Sequence, residues 1–270
     1  MTRILNVKRL TLFITTIFTL TLTSASIPPT PAHQEPKAAR QAVRTIVLDP
    51  GHGGKDSGAK GRRAHEKNIA LQVALKLGKK LESELPGVKV IYTRKTDVFI
   101  PLYERPALAN QHKADLFISI HCNSASASAA VGSETLVCGF NRMGSQDAAI
   151  RENASILLED DYQDNYGGFD PKDPSSMIVF QLMKNQHRRE SIKLASLIQD
   201  RYIGAGRRDR GVKEQSLAVL STAGMPAVLT ELGFMSNPSE ENYMLSAAGQ
   251  TEIVNNIFNA IKTYKTAMER

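Results

Sequence analysis

Short apolar runs alternate along this chain with longer stretches in which apolar residues recur every third or fourth position. Five runs are rich in β-branched and apolar residues and end at Pro, Gly, His or polar residues, which predicts strands. They span residues 44–50, 89–94, 115–121, 133–140 and 226–234.

Helical periodicity fills the intervals between these runs. The pattern is clearest over 66–85, where apolar residues recur at every fourth position: Ile69, Val73, Leu77, Leu81 and Leu85. Further helices are predicted over about 102–113, 176–203 and 249–266. Strands that alternate with helices predict an α/β domain with a mostly parallel twisted sheet and helices on both faces.

The first 42 residues do not fit this alternation. Residues 1–26 combine a basic start, an apolar Thr-rich stretch and small residues at its end, the pattern of a secretory signal. An alternative is a membrane anchor, but the stretch is shorter than the roughly 20 apolar residues that a span needs. Residues 27–42 are rich in Pro, Ala and charge and predict a linker. We expect one exported domain over 43–270, with no stable membrane span after signal removal.

Residues 141–186 interrupt the domain between the fourth strand and the long helix. They contain a short helical pattern at about 147–158, followed by an acidic loop with Tyr, Asp and Gly. A segment of this length inside a compact domain is usually a lid, a binding loop or disordered. We expect an inserted lid segment.

Composition excludes some partners. The formal net charge is +7, and it becomes +4 without the three basic residues of the predicted signal. This mild excess suits a polyanionic surface such as a bacterial envelope, whereas the absence of Trp and of a basic stripe argues against nucleic acid. The two cysteines, Cys122 and Cys138, are too few for a disulfide framework, and whether they pair is left open.

Candidate chemistry gathers where three predicted strands end. The first strand leads into His52 within a glycine-rich loop, the third ends on His121, and the last ends on Glu231. Ligands of open α/β sheets bind just outside the carboxyl ends of the strands. Glu66 opens the helix that follows the glycine-rich loop, so its carboxylate is expected at the same edge.

Two imidazoles and one carboxylate are the usual protein ligands of catalytic zinc. We therefore predict Zn²⁺ bound by His52, Glu66 and His121, with Glu231 as general base. Each residue also has an ordinary structural alternative. Either histidine could be a surface or capping residue, Glu66 a first-turn helix residue, and Glu231 the partner of an arginine such as Arg94 or Arg105.

Six motifs, in order, resemble the zinc-dependent N-acetylmuramoyl-L-alanine amidases of bacterial cell walls. They are IVLDPGHGGKDSGAKG, HEKNIAL, TR..D, R..LAN, ADLFISIHCNS and PAVLTELGFMSNPSEE, and they run from about residue 44 to the C-terminus. The resemblance implies hydrolysis of the amide between N-acetylmuramic acid and L-alanine of the peptidoglycan stem peptide, often in daughter-cell separation. It implies the same metal ligands, His52, Glu66 and His121, and the same catalytic carboxylate, Glu231.

The resemblance extends to the insertion. Some family members carry a second functional glutamate in a similar REN stretch, which corresponds here to Glu152, although Glu134 and Glu159 are nearby alternatives. Some hold a helix over the zinc until an activator protein displaces it. We expect residues 147–160 to gate the cleft, with an activator as a partner. By the same analogy, the expected location is the periplasm.

Three other functions compete with an amidase. Cys122 could act as a thiol nucleophile. The domain could be a wall-binding module that has lost its chemistry, although all the predicted ligands and the base are present. A zinc peptidase that cuts within the stem peptide is the nearest enzymatic alternative.

Overall fold

One six-stranded mixed sheet, in the order β2-β1-β3-β6-β4-β5, forms the centre of the computed structural model, which describes residues 42–139, 146–166 and 186–270. The strands are β1 (Thr45–Pro50), β2 (Lys89–Tyr92), β3 (Leu116–Asn123), β4 (Ser133–Cys138), β5 (Asp209–Gln215) and β6 (Ala227–Phe234). Strands β2, β1, β3 and β6 are parallel, β4 is antiparallel to β6, and β5 is parallel to β4.

Helices cover both faces of the sheet. Within the described ranges they are α1 (Glu66–Glu84), α2 (Glu104–Gln111), α3 (Asp147–Asn153), α4 (Tyr162–Asn165), α5 (Arg188–Gly204), α6 (Ala218–Ser221), α7 (Pro238–Leu245) and α8 (Ala247–Met268). A 3-10 turn, Ala154–Leu158, follows α3 directly.

Each face of the sheet has its own hydrophobic core, because alternate residues of a strand point to opposite sides. On the first face, apolar residues of α1, α5 and α8 pack on Leu48, Ile118 and Val228. On the second face, Val47, Phe117 and Leu229 pack with α2, α3 and α6 and the 3-10 turn. His121 and Glu231 share the strand parity of Phe117 and Leu229, so their side chains lie on the second face.

The α/β fold is confirmed, and all five predicted strands exist with slightly different ends. The sequence analysis missed β5, a largely polar edge strand in which Gly211 adopts a φ of +81°. It also missed the reversal of β4, because hydropathy does not reveal strand direction. The long helix begins at Arg188 in the described residues, and its predicted start near 176 lies outside them.

Several predictions fall on residues that the structure does not describe. These include the signal, almost all of the linker, and residues 141–145 and 167–185 of the insertion. Among the described residues, no helix is both long enough and apolar enough to cross a membrane.

Candidate metal centre and active site

A tight turn after β1 positions His52. The backbone of His52 has a φ of +59°, and Gly53 and Gly54 follow with φ of +124° and +55°. A side chain is strained in this region, so two glycines in succession allow the turn. Gly51 has a different role, because a Cβ there would lie 2.4 Å from the ring of His121. The glycines thus allow the two imidazoles to come together, with ring centroids 4.8 Å apart.

Two buried arginines hold this turn. The Arg94 guanidinium donates to the carbonyls of Pro50 at 3.0 Å and Gly51 at 2.7 Å. Arg105 donates to the His52 carbonyl at 3.0 Å and to the Asp49 carboxylate at 2.8 Å. Both guanidiniums are committed to the turn and do not pair with Glu231. Glu231 does have an arginine partner, but it is Arg151, at 3.0 Å.

Glu66 reaches the same edge from the first turn of α1, where it is 1% exposed. Its Oε1 accepts from the Cys122 N–H at 2.7 Å, and its Oε2 accepts from the Ala59 N–H at 2.8 Å. A Cβ at Gly58 would lie 2.6 Å from Oε2 and 2.5 Å from the His52 ring. Gly58 therefore leaves the space that this carboxylate occupies.

The three predicted ligands converge, and Glu152 of α3 joins them. Glu66 Oε1 lies 3.1 Å from His52 Nε2 and 3.0 Å from His121 Nδ1. Glu152 Oε2 lies 3.3 Å from His52 Nε2 and 2.8 Å from His121 Nδ1. One ligand atom from each of the four buried side chains lies within 4.8 Å of every other, so the group could hold a metal ion.

The group fits a cation. His52 Nε2 and Glu152 Oε2 are buried with no hydrogen-bond partner, an arrangement that costs free energy unless another group fills it. Burial alone would lower the pKa of His121, but Glu152 and Glu66 raise it to about 9. The pKa of His52 is likewise raised well above its usual value, against the effect of burial, by Glu66, Asp56 and Glu152. The carboxylates thus favour positive charge at this position, and imidazole with carboxylate is a donor set that suits zinc.

Asp56 orients His52 from outside the cluster. Its Oδ2 lies 2.7 Å from His52 Nδ1, which leaves Nε2 directed toward Glu66 and Glu152. The Asp56 carboxylate is fixed in turn by the Gly58 N–H at 3.0 Å. A carboxylate on the far nitrogen of a ligand histidine is a common supporting contact in metal sites.

Glu231 lies beside the cluster on β6, directly opposite His121 of β3. It is fully buried; its Oε1 accepts from Arg151 Nη2 at 3.0 Å, and its Oε2 has no hydrogen-bond partner. Burial raises its pKa to about 8, and Glu152 and Glu66 add to the increase while Arg151 opposes it. A carboxyl with such a pKa can exchange a proton near neutral pH.

A cavity of about 410 Å³ opens over this cluster. His52, Glu66 and Glu152 lie on its polar side, and Leu157 and Leu158 of the 3-10 turn form an apolar wall. Arg151 and Ser124 also line it. The cavity borders His52 and Glu66, but their side chains are only 6% and 1% exposed in this arrangement.

Two functional candidates, Asp56 and Arg151, escaped the sequence analysis. Each is adjacent to a predicted residue: Asp56 follows His52 by four positions, and Arg151 precedes Glu152. Of the residues that the sequence analysis offered beside Glu152, Glu134 pairs with Lys213, and Glu159 accepts from the Leu102 N–H at 2.8 Å.

Cys122 is a poor candidate for a nucleophile. It is fully buried, and burial, with Glu66 nearby, raises the pKa of its thiol far above the usual value. Cys122 and Cys138 pack in the cores on opposite faces of the sheet, which excludes a disulfide between them.

Comparison with known proteins gives a consistent result. The family model described as N-acetylmuramoyl-L-alanine amidase matches residues 46–263. The chain is 32% identical over 246 residues to the amidase AmiC of Escherichia coli O6:H1, covering 88% of this chain but 57% of that relative. It is 32% identical to AmiA of Escherichia coli K12, covering 86% of this chain and 80% of AmiA.

Solved structures give the same result. The crystal structure of an N-acetylmuramoyl-L-alanine amidase from Clostridium difficile 630 superimposes with a TM-score of 0.62. The two sequences are 28% identical, and the match covers 83% of this chain and 97% of that one.

Proposed function

Since this chain belongs to the N-acetylmuramoyl-L-alanine amidase family, we propose that it hydrolyses the amide between N-acetylmuramic acid and L-alanine of the peptidoglycan stem peptide. The observation that carries the proposal is the convergence of His52, Glu66 and His121 beside the buried Glu231. The chain is thus an enzyme of cell-wall remodelling, and we assign its metal as zinc and these three residues as its ligands.

The residues of the chain have distinct parts in this reaction. Bound by His52, Glu66 and His121, zinc would supply a Lewis acid for the scissile carbonyl and for the attacking water. Glu231 takes the proton of that water and passes it to the departing L-alanine nitrogen. Asp56 keeps His52 in the orientation that directs Nε2 to the metal.

The segment 147–160 gates this site. Glu152 is the fourth member of the ligand group, and four protein ligands complete the tetrahedral coordination that zinc prefers. A catalytic zinc site keeps one position for water or substrate. Arg151 of the same helix binds Glu231, the proposed general base. This arrangement therefore corresponds to a closed state.

Opening requires α3 to move, and an activator protein is the partner that we propose for this step. Ile150, Leu157 and Leu158 are exposed apolar residues on the segment and offer a surface for such a partner. We also propose export, on the basis of the predicted signal over residues 1–26, and a periplasmic location, by analogy with the periplasmic members of the family.

Digestion of purified peptidoglycan tests the proposed reaction. The full-length chain is incubated with and without a chelator, and the products are identified by mass. We expect intact stem peptides with a free L-alanine amine, lost upon chelation and restored by zinc. Peptides cut internally would identify a zinc peptidase instead. Activity that is lost upon thiol alkylation but resists chelation would support the Cys122 alternative.

A further inference from the structure

A second cavity, of about 210 Å³, adjoins the catalytic one on the same face of the sheet. Arg151 and Ser124 line both cavities, so the two cavities meet at these residues. Residues of α3 and β5 line the second cavity, and they include Arg210 and Lys213; Phe234 also lines it. A substrate that occupies the catalytic cavity therefore has a direct route into this one once α3 moves.

Two basic side chains at this cavity bind the same carboxylate. Arg210 Nε lies 3.3 Å from Glu134 Oε2, and Lys213 binds the same oxygen at 2.5 Å. The Asn123 amide donates to the other oxygen of Glu134 at 2.8 Å. Two cations and an amide thus satisfy one buried carboxylate, so the two cations carry one charge more than Glu134 balances. The other carboxylate that lines this cavity is Asp147.

These cations are fixed in position and reachable from solvent. The Arg210 guanidinium lies over the Phe234 ring at 4.8 Å, a contact that holds its plane. The side chains of Arg210 and Lys213 remain 36% and 38% exposed. An anion can therefore approach them without displacing Glu134.

The spacing of the strands determines how far this cavity lies from Glu231. Glu134 lies opposite Glu231, and Lys213 lies on β5, the next strand. Neighbouring strands are separated by about 4.8 Å, so the backbone of β5 lies roughly 10 Å across the sheet from that of β6. The side chains of Arg210 and Lys213 reach back toward Glu134 on the strand between them. An extended peptide covers this distance in about three residues.

The segment α3 supplies a carboxylate to each cavity. Glu152 lies in the ligand group of the catalytic cavity. Asp147, five residues earlier on the helix, lines the second cavity, which we call the basic cavity because Arg210 and Lys213 line it. A helix rises about 1.5 Å per residue, so these two positions are roughly 7.5 Å apart along its axis. An acidic peptide bound across the two cavities would place its groups with similar spacing.

We propose that Arg210 and Lys213 form a subsite that binds a free carboxylate on the second or third residue of the stem peptide, and that Asp147 occupies this subsite in the closed state. This inference rests on the proposed amidase function. In this inference, Arg210 and Lys213 determine which substrate binds and do not contact the reacting atoms.

Two substrates that differ only in these carboxylates test the subsite on the full-length chain. One muropeptide carries free carboxylates on stem residues two and three, and the other carries carboxamides there. We expect Lys213→Met and Arg210→Gln each to raise KM for the free acid about tenfold, with kcat within twofold. The KM for the carboxamide should stay unchanged.

Arg188→Gln is the matched control. It removes one positive charge that binds Glu214, the residue after Lys213, outside the basic cavity. It should leave both substrates unaffected. Equal losses on the two substrates, or the same loss in the control, would overturn the subsite and reduce Arg210 and Lys213 to partners of Glu134.

Asp147→Asn gives a second measurement that keeps Arg210 and Lys213 in the chain. It should lower KM for the free acid severalfold, because the competing carboxylate is gone; an unchanged or higher KM would contradict the role of Asp147. If neither the wild-type chain nor a chain that lacks residues 145–170, and with them the gate, cleaves either substrate, the amidase function fails. Calorimetry with the two stem peptides then still decides the subsite. Tighter binding of the free acid, lost in Lys213→Met, supports the subsite, and equal binding overturns it.

Discussion

Glu231 combines complete burial with a single basic partner, Arg151. Replacing it with Gln keeps the shape of the side chain and removes its capacity to accept a proton. We expect Glu231→Gln to lower kcat by about 10²–10⁴, the usual contribution of a general base. Metal content, measured by atomic absorption, should stay at the wild-type level, because Glu231 is outside the ligand group.

Glu214→Gln serves as the control for this loss, since it changes a half-buried carboxylate on β5 that binds Arg188 instead of Arg151. A Glu231→Gln variant that keeps full turnover would show that another group takes the proton.

Asp56 contacts the His52 ring, and we expect it to influence metal binding through that ring. Asp56→Asn replaces the carboxylate at His52 Nδ1 with an amide and weakens the orientation of the ring. Removing such a supporting contact typically costs about 10–100-fold in metal affinity. Competition with a chromophoric chelator measures the affinity directly. Asp97→Asn is a suitable control, since Asp97 binds Lys67 and the Gly54 N–H on the outer side of the same loop. Equal affinity in Asp56→Asn and wild type would contradict the role.

Functional residues could be predicted where the local sequence marks their position, at the end of a strand or in a glycine-rich loop. Strand ends and the glycine-rich loop selected His52, His121 and Glu66, and the structure brings these three together. Asp56 and Arg151 were not selected, because their roles arise only when the turn and α3 are folded against the sheet. A carboxylate four residues after a loop histidine has no distinctive pattern in the sequence.

The helix α3 contributes Arg151, which binds Glu231, and Glu152, which lies in the ligand group. Changing these contacts should therefore change turnover. We expect Glu152→Ala to raise turnover on purified peptidoglycan severalfold, since a metal coordination position becomes available. Deletion of residues 145–170 should act in the same direction. Turnover is followed by the release of soluble muropeptides.

Ile150→Ala, on the exposed side of the same helix, provides the control. Unchanged or lower turnover in a folded Glu152→Ala variant would reject gating. A loss of turnover would instead favour a catalytic role for Glu152.

Elements with a clear hydrophobic period were predictable, and those without one were not. The helix α1 shows its buried stripe in the sequence, and residues 247–268 confirm the last predicted helix with small shifts at both ends. Edge strand β5 is polar, because its outer side meets solvent and needs no apolar residues. The antiparallel direction of β4 depends on the path of the connections and leaves no trace in the local pattern.

The whole fold should respond to pH differently with and without metal. In the absence of metal, the pKa of His121 is raised to about 9 from 6.5, so its protonated form stabilises the folded state. That stabilisation is complete below pH 6.5 and is lost as the pH rises through 9. The carboxyl of Glu231, whose pKa is raised to about 8 from 4.5, contributes in the same direction, because the fold disfavours its ionised form.

Thermal unfolding in the presence of a chelator should therefore show a midpoint that falls between pH 6.5 and 9. Saturating zinc should remove or reverse this trend, because the metal binds neutral imidazoles. A midpoint that rises with pH in the chelated protein would contradict the assignment of these shifts.

The arginine-held turn after β1 has a kinetic consequence. Arg94 and Arg105 fix the backbone around His52 through contacts that involve none of the proposed ligand atoms. The loop thus has its shape before any ion arrives, and loading the ion does not wait for a folding step. Exchange should then be limited by access through α3: a stripped enzyme should recover within the time of mixing once the helix is displaced, and slowly while it is in place.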